Sequence, residues 1–234
     1  AAAINAGASG SGFFEGLGPL VARSPISTLR DYLRYHYVAS MAPLLSKAFV
    51  DEDFKLQQAF TGQAELEPRW KRCVESSDSA LGEILGKEFV ERTFPGDSRK
   101  TDLELISGVE AGFAANLQSL AWMDDETRAR ALDKMKAVRN KIGYPDKWLD
   151  YSAYEVRPGD WFGNSVRSSE FKFDRDAKKV GLPVDRDEWG MTPTQVNAYY
   201  NPGGNEMAFP AGILQAPFFS RDFPPAMNYG GDEA

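Results

Sequence analysis

The spacing of hydrophobic residues changes once along this chain, and that change limits the folds open to it. From Phe13 to about Asn140 the apolar side chains recur every three or four positions, the signature of helices that each bury one face. From Met191 onward the period is two, that of a strand with distinct faces. Within the first regime, ISTLRDYLRYHYVASM sets Leu29, Leu33, Tyr37 and Met41 on one stripe, and Ser24-Pro25 or Ser27 can open the helix. A second helix is predicted over residues 69–90, with Trp70, Val74, Leu81, Leu85 and Phe89 on its inner face, ending before Phe94-Pro95-Gly96. A third covers residues 101–122 through Leu103, Ile106, Phe113, Leu117 and Leu120. A fourth is capped by Asp124, with Asp125 and Glu126 favouring the positive end of its dipole, and runs through Leu132 and Met135 to about Asn140.

Gly143-Tyr144-Pro145 ends that regime, and the next residues are dense in aromatics, Pro and Gly, which places a domain boundary between about 145 and 165. A short helix over 161–180 carries Phe171 and Phe173 near its middle. Residues 195–200 then alternate, with Val196, Ala198 and Tyr200 on one side and Asn197 and Tyr199 on the other. Asn201-Pro202-Gly203-Gly204-Asn205 is a turn, and residues 206–209 return as a second strand. Pro210 and Pro217 stop the sheet from growing there, because proline has no N–H to give to a ladder. The expected fold is mainly α-helical with a small β-hairpin near the C-terminus.

The chain is long enough, at 234 residues and 42% hydrophobic, to bury a sizeable core. Its net charge of −7 is spread along the sequence, which argues against a phosphate backbone as partner. No apolar run reaches the roughly 20 residues that cross a bilayer. The opening AAAINAGASGSG has neither the basic nor the apolar part of a signal peptide, so residues 1–12 read as a disordered or linker-like tail. Cys73 has no partner for a disulfide within the chain and reads as a small buried or partly buried side chain.

His36 is the only histidine, so neither HExxH nor a serine triad nor a histidine-rich metal site can be built from this chain alone. It reads as a core-flanking side chain satisfied by a hydrogen bond. The acidic clusters Asp51-Glu52-Asp53, Asp124-Asp125-Glu126 and Asp185-Arg186-Asp187-Glu188 lack the spacing of a calcium loop and read as solvated surface, the middle one as a helix cap. Gly203-Gly204 lacks the surroundings of a phosphate loop and reads as a turn. The hairpin is more particular. A strand such as VNAYY, with a short amide beside a small residue, is suited to receive an extended peptide: its free backbone groups pair with the ligand and Asn197 adds a directed donor and acceptor. An ordinary edge strand is the alternative.

The segment VNAYYNPGGNEMAFPAGILQAPFF, preceded by EWGMTPTQ and followed by MNYGG, closely resembles the neprilysin-like M13 family of zinc metalloendopeptidases. PISTLRDYLRYHYV, RWKRCV, WMDDETRARALDKM and KIGYPDKWLDY resemble it too, in the expected order. The resemblance implies that residues 13–155 belong to a helical domain roofing the active site, and residues 156–234 to the start of a thermolysin-like catalytic domain. It implies that Asn197 holds the substrate backbone through its side-chain amide and that the Ala198 carbonyl accepts from it. Cys73 matches a cysteine that is disulfide-bonded in animal relatives, and is read here as a free thiol.

In the family the NYGG block runs into a helix bearing HExxH, and this chain ends at Asp232-Glu233-Ala234 instead. Zinc is therefore expected in the complete enzyme and not on this chain alone, Glu233 cannot stand in for the missing base, and no residue here is assigned as catalytic. The resemblance thus implies part of a zinc-dependent peptidase that cleaves small peptides on the amino side of hydrophobic residues, this chain supplying substrate positioning and being inactive alone. The alternatives are a noncatalytic peptide-binding module and one half of a split peptidase whose zinc half is a second chain. The family leans to an extracellular or periplasmic compartment, with a cytoplasmic one open.

Overall fold

The computed structural model describes residues 11–232. Residues 1–10 of the expected tail, and Glu233 and Ala234, lie outside the described residues, while Ser11 and Gly12 already belong to the first helix. The described chain runs α1 (Ser11–Arg23), α2 (Ile26–Met41), a 3-10 turn (Ala42–Leu44), α3 (Lys47–Thr61), α4 (Arg69–Thr93), α5 (Ser98–Ser119) and α6 (Asp125–Lys136). It continues through β1 (Arg139–Gly143), α7 (Trp161–Ala177), β2 (Tyr199–Asn201), β3 (Glu206–Pro210) and α8 (Pro225–Asp232). The fold is mostly helical with one small sheet, as expected.

The chain forms two units, each drawn from separated segments. One contains residues up to Pro68 together with Tyr154–Pro183, and the other Arg69–Ala153 with the residues from Val184 onward. In the first unit, α2 has the anticipated stripe, yet Leu33 and Tyr37 are exposed and none of its residues is buried. His36 is accordingly exposed rather than core-flanking, its ring lying 4.3 Å from that of Tyr32. α1 and α3 were not anticipated as separate helices. The α3 cluster Asp51-Glu52-Asp53 serves surface pairs with Lys47, Lys55 and Gln57. In α7, Asp160 caps the N-terminus by accepting from the Gly163 N–H, and Arg167 reaches the same carboxylate. Those two contacts, Arg167 first, hold the Asp160 carboxyl below the usual range.

The second unit holds the core: Val90, Phe94, Leu105, Ile106, Ile142, Ala211, Leu214 and Phe219. The helix α6 begins where its sequence says it should, with Asp124 accepting from the Thr127 N–H at 2.7 Å. It stops at Lys136, short of Asn140, because RNKIG is taken by β1. This strand pairs in parallel with β3, Arg139 to Glu206 through Gly143 to Pro210. The hairpin strand β2 pairs antiparallel with β3 from Tyr199↔Ala208 to Asn201↔Glu206, so the sheet order is β1-β3-β2 and β2 is an edge.

α4 buries a different face from the expected one. Trp70, Val74 and Leu85 are exposed, and Gly82, Gly86 and Val90 are the buried positions. Cys73, on the outer side, is exposed and free, not buried. On α5, Leu105, Ile106 and Leu117 are inside and Leu103 and Phe113 outside. Arg128 of α6 closes the C-terminal end of α5 and the turn after it by donating to the carbonyls of Leu117, in the last turn of the helix, and of Leu120 and Met123 beyond it.

Candidate substrate-binding edge

Asn197 and Ala198 lie immediately before β2, not inside a longer strand, and both are exposed. The strand is shorter than anticipated because residues 191–195 are bent against α4 rather than extended along β3. The Asn197 Oδ1 accepts from the Ala198 N–H at 2.8 Å. Only oxygen can accept from a backbone N–H, so this contact assigns the carboxamide and leaves its NH2 group as the outward-facing donor. The Ala198 carbonyl falls one residue ahead of the ladder that starts at Tyr199↔Ala208. An edge strand presents unpaired backbone groups, which is the surface an extended peptide adds to.

Two anchors fix the edge. Ahead of it, the MTPT segment (Met191 to Thr194) is seated on the kink of α4, where Leu81 leaves helical geometry. A Cβ on Gly82 would lie 2.2 Å from Thr192 Cγ2, and one on Gly86 would lie 2.7 Å from Pro193 Cδ. Glycine at both positions is what lets the segment lie directly on the helix backbone. Thr192 Oγ1 donates to one oxygen of Asp78 at 3.0 Å, Thr194 Oγ1 donates to the other at 2.5 Å, and the two hydroxyls are 2.9 Å apart. From the opposite side the Gly212 N–H donates to the Pro193 carbonyl at 2.8 Å, and a Cβ on Gly212 would meet the carbonyl oxygens of Thr194 and Gln195 at 2.5 Å. Pro193 is fully buried as a result.

Behind the edge, the hairpin turn is tied down at several points. Asn205 adopts φ 47°, in the left-handed region an asparagine tolerates, and its side chain donates to the Lys134 carbonyl. Arg186 donates to the Gly204 carbonyl, and Arg139 bridges the Arg186 carbonyl and Asp187. The cluster Asp185 to Glu188 is therefore a scaffold for the turn as well as surface. Beneath the turn, the Lys141 ammonium lies 2.8 Å from Glu206 Oε2, both side chains nearly fully buried, and donates to the Glu188 carbonyl. Tyr199, half-buried, accepts from the Gly190 N–H. Burial pushes its phenol pKa up.

Among the described residues no three His, Cys, Asp or Glu side chains come together as a ligand set, and the one histidine sits on α2 against tyrosines. No helix among the described residues is long and apolar enough to cross a membrane. What the arrangement can do chemically is hold an extended chain by its backbone. Asp78, Gly82, Gly86 and Gly212 were missed by sequence reasoning; the one signal for the α4 residues was their spacing of four.

In the second unit, a three-stranded sheet packed by helices ends in an edge strand led by an exposed Asn-Ala pair, an arrangement open to an extended peptide. Two models of peptidase family M13 match it, one over residues 8–145 and the other over 197–232, and the chain belongs to that family. Among its relatives, human endothelin-converting enzyme 1 is 37% identical over 227 residues, covering 94% of this chain and 30% of that protein. Drosophila melanogaster neprilysin-3 is 35% identical over 210 residues, covering 87% and 27%. The Mycobacterium tuberculosis zinc metalloprotease Zmp1, solved with an inhibitor, superposes with a TM-score of 0.82 at 39% identity, covering 93% of this chain and 33% of that one. The chain thus spans about a third of the length of the relatives it matches.

Proposed function

We propose that this chain is the substrate-positioning portion of a zinc-dependent metalloendopeptidase that hydrolyses small peptides on the amino side of hydrophobic residues. Residues 13–155 supply part of the helical roof and residues 156–234 the start of the catalytic domain. The observation that carries the reading is the exposed Asn197-Ala198 pair at the open end of edge strand β2, anchored on both sides. Asn197 offers its NH2 group to a substrate carbonyl, and Ala198 offers its carbonyl to a substrate N–H. Together they hold the peptide extended beside the sheet. Zinc and the base belong to the rest of the enzyme, and no chemical step is assigned to this chain.

The test is Asn197→Ala in the peptidase that carries this chain, assayed on a short peptide with an internal hydrophobic residue. Loss of orientation should lower kcat/KM on the order of 10²-fold with the fold intact. An unchanged kcat/KM would refute the role of Asn197. Measurable binding of that peptide by the isolated chain would favour a noncatalytic binding module instead.

A further inference from the structure

We infer that Asp78 of α4 is a positioning residue for the substrate edge, acting through Thr192 and Thr194 on Asn197; the inference rests on the reading of that edge given above. Residues 195–198 are the whole of the chain between two fixed points. One is the MTPT segment, and the other is the ladder that begins at Tyr199. The reach and direction of Asn197 therefore follow from where the first point is held. Three contacts hold it. Two are the Gly82 and Gly86 surface on one side, and on the other the close approach of Gly212, whose N–H donates to the Pro193 carbonyl. The glycine surfaces set distance, and the Gly212 hydrogen bond fixes the segment at one point only. The third contact adds two further directed bonds, at Thr192 and Thr194. Each carboxylate oxygen of Asp78 accepts from one threonine, and the two hydroxyls are themselves within 2.9 Å, so the carboxylate fixes the register of the segment on the helix.

Thr194 is three residues before Asn197, so a slide at Thr194 is passed almost directly to the carboxamide. A displacement of about 1 Å at a substrate-holding group can cost on the order of 10²-fold in rate. The clamp's own loss is expected to be smaller, because the glycine surfaces remain.

The experiment is a double-mutant cycle in the peptidase that carries this chain, with kcat and KM measured separately on a short peptide. Asp78→Ala and Thr194→Val should each lower kcat/KM by roughly tenfold in the parent, and by less than about twofold in the Asn197→Ala background, since residues acting through one group are not additive. Thr194→Ser, which keeps the hydroxyl, should restore most of the rate lost in Thr194→Val. Thr194→Val is the milder change and keeps the test available if Asp78→Ala does not fold. Equal losses with and without Asn197 would overturn the clamp, as a merely structural contribution behaves that way, and so would no loss in either variant. If Asn197→Ala itself has no effect, the reading of the edge fails and the clamp with it. A clear Asn197 effect without coupling sinks the clamp alone.

Discussion

The Lys141–Glu206 pair beneath the hairpin turn should behave as a buried ion pair that costs much to break and little to replace. The two charges approach to 2.8 Å with side chains 6% and 4% exposed. At an effective dielectric of about 20 their attraction is about 6 kcal/mol. Removing each from water costs several kcal/mol, so the pair as a whole comes close to breaking even. Its alignment is imperfect: Glu206 Oε2 has no well-directed donor, while Oε1 accepts from Asn201 and the ammonium donates to the Glu188 carbonyl. Glu206→Gln leaves the ammonium buried among neutral acceptors with no counter-charge, and Lys141→Met leaves the carboxylate with the Asn201 amide. Each should cost about 3 kcal/mol or somewhat more. The double variant should cost at least about 2 kcal/mol less than the sum of the singles. Native-state hydrogen exchange at the Ile142 and Ala208 amides reads this directly, because both residues are fully buried in the paired β1 and β3. Single losses that simply add, to within about 0.5 kcal/mol, would refute the coupling and with it the account of how the turn is held.

Arg128→Ala should destabilise the second unit by about 2–3 kcal/mol, read as a drop in urea midpoint, since the carbonyls of Leu117, Leu120 and Met123 lose a charged donor at once; a shift within the scatter of surface substitutions would count against that cap. Gly82→Ala should cost about 1–3 kcal/mol by pushing Thr192 off the helix, whereas Gly112→Ala on α5, with nothing within 4 Å, should gain up to about 1 kcal/mol from helix propensity. The Asp124 carboxyl is held below the usual range, chiefly by the Thr127 backbone N–H, so its contribution is complete above about pH 4 and is lost as pH falls through the lower folded value. Carboxyl NMR titration should find Asp124 ionising below an ordinary aspartate, with Thr127 amide protection fading over the same interval; a titration at or above the ordinary value would contradict the cap.

Local signals were readable in the sequence, and long-range ones were not. The Asp124 cap, the turn at Asn201 to Asn205 and the start of α4 depend on neighbours a few residues away, and each falls where the pattern puts it. β1 is specified otherwise. RNKIG contains one large apolar residue and continues a helical period, and only pairing with β3, more than sixty residues on, makes it a strand. On α4, ranking positions by apolar size selects Trp70 and Leu85, yet the inward face is Asp78, Gly82, Gly86 and Val90. Glycine counts as absence in such a ranking, whereas in the fold it is the feature that admits another backbone. The hairpin that follows Asn197 and Ala198 was legible from its turn and alternation, although its first strand starts only at Tyr199. The clamp that holds it was not, because Asp78 meets Thr192 and Thr194 across 114 and 116 residues.

That separation bears on how the earlier and later parts of the chain relate. One family model covers residues 8–145 and the other begins at 197, as though the parts were independent. The sheet contradicts independence. Its central strand, β3, comes from the later part, one neighbour is the hairpin strand β2, and the other neighbour, β1, comes from the earlier part. An isolated two-stranded hairpin is marginal in water, so without β1 the strand that orders β2 would lose half its ladder. The same earlier part supplies Asp78 and the glycine surface under residues 191–194, and the core residues Val90, Phe94, Leu105 and Ile106 beneath Ala211, Leu214 and Phe219. The helices of the second unit therefore share one core and one sheet with the hairpin, and the segment leading to Asn197 is hydrogen-bonded to a side chain more than a hundred residues before it.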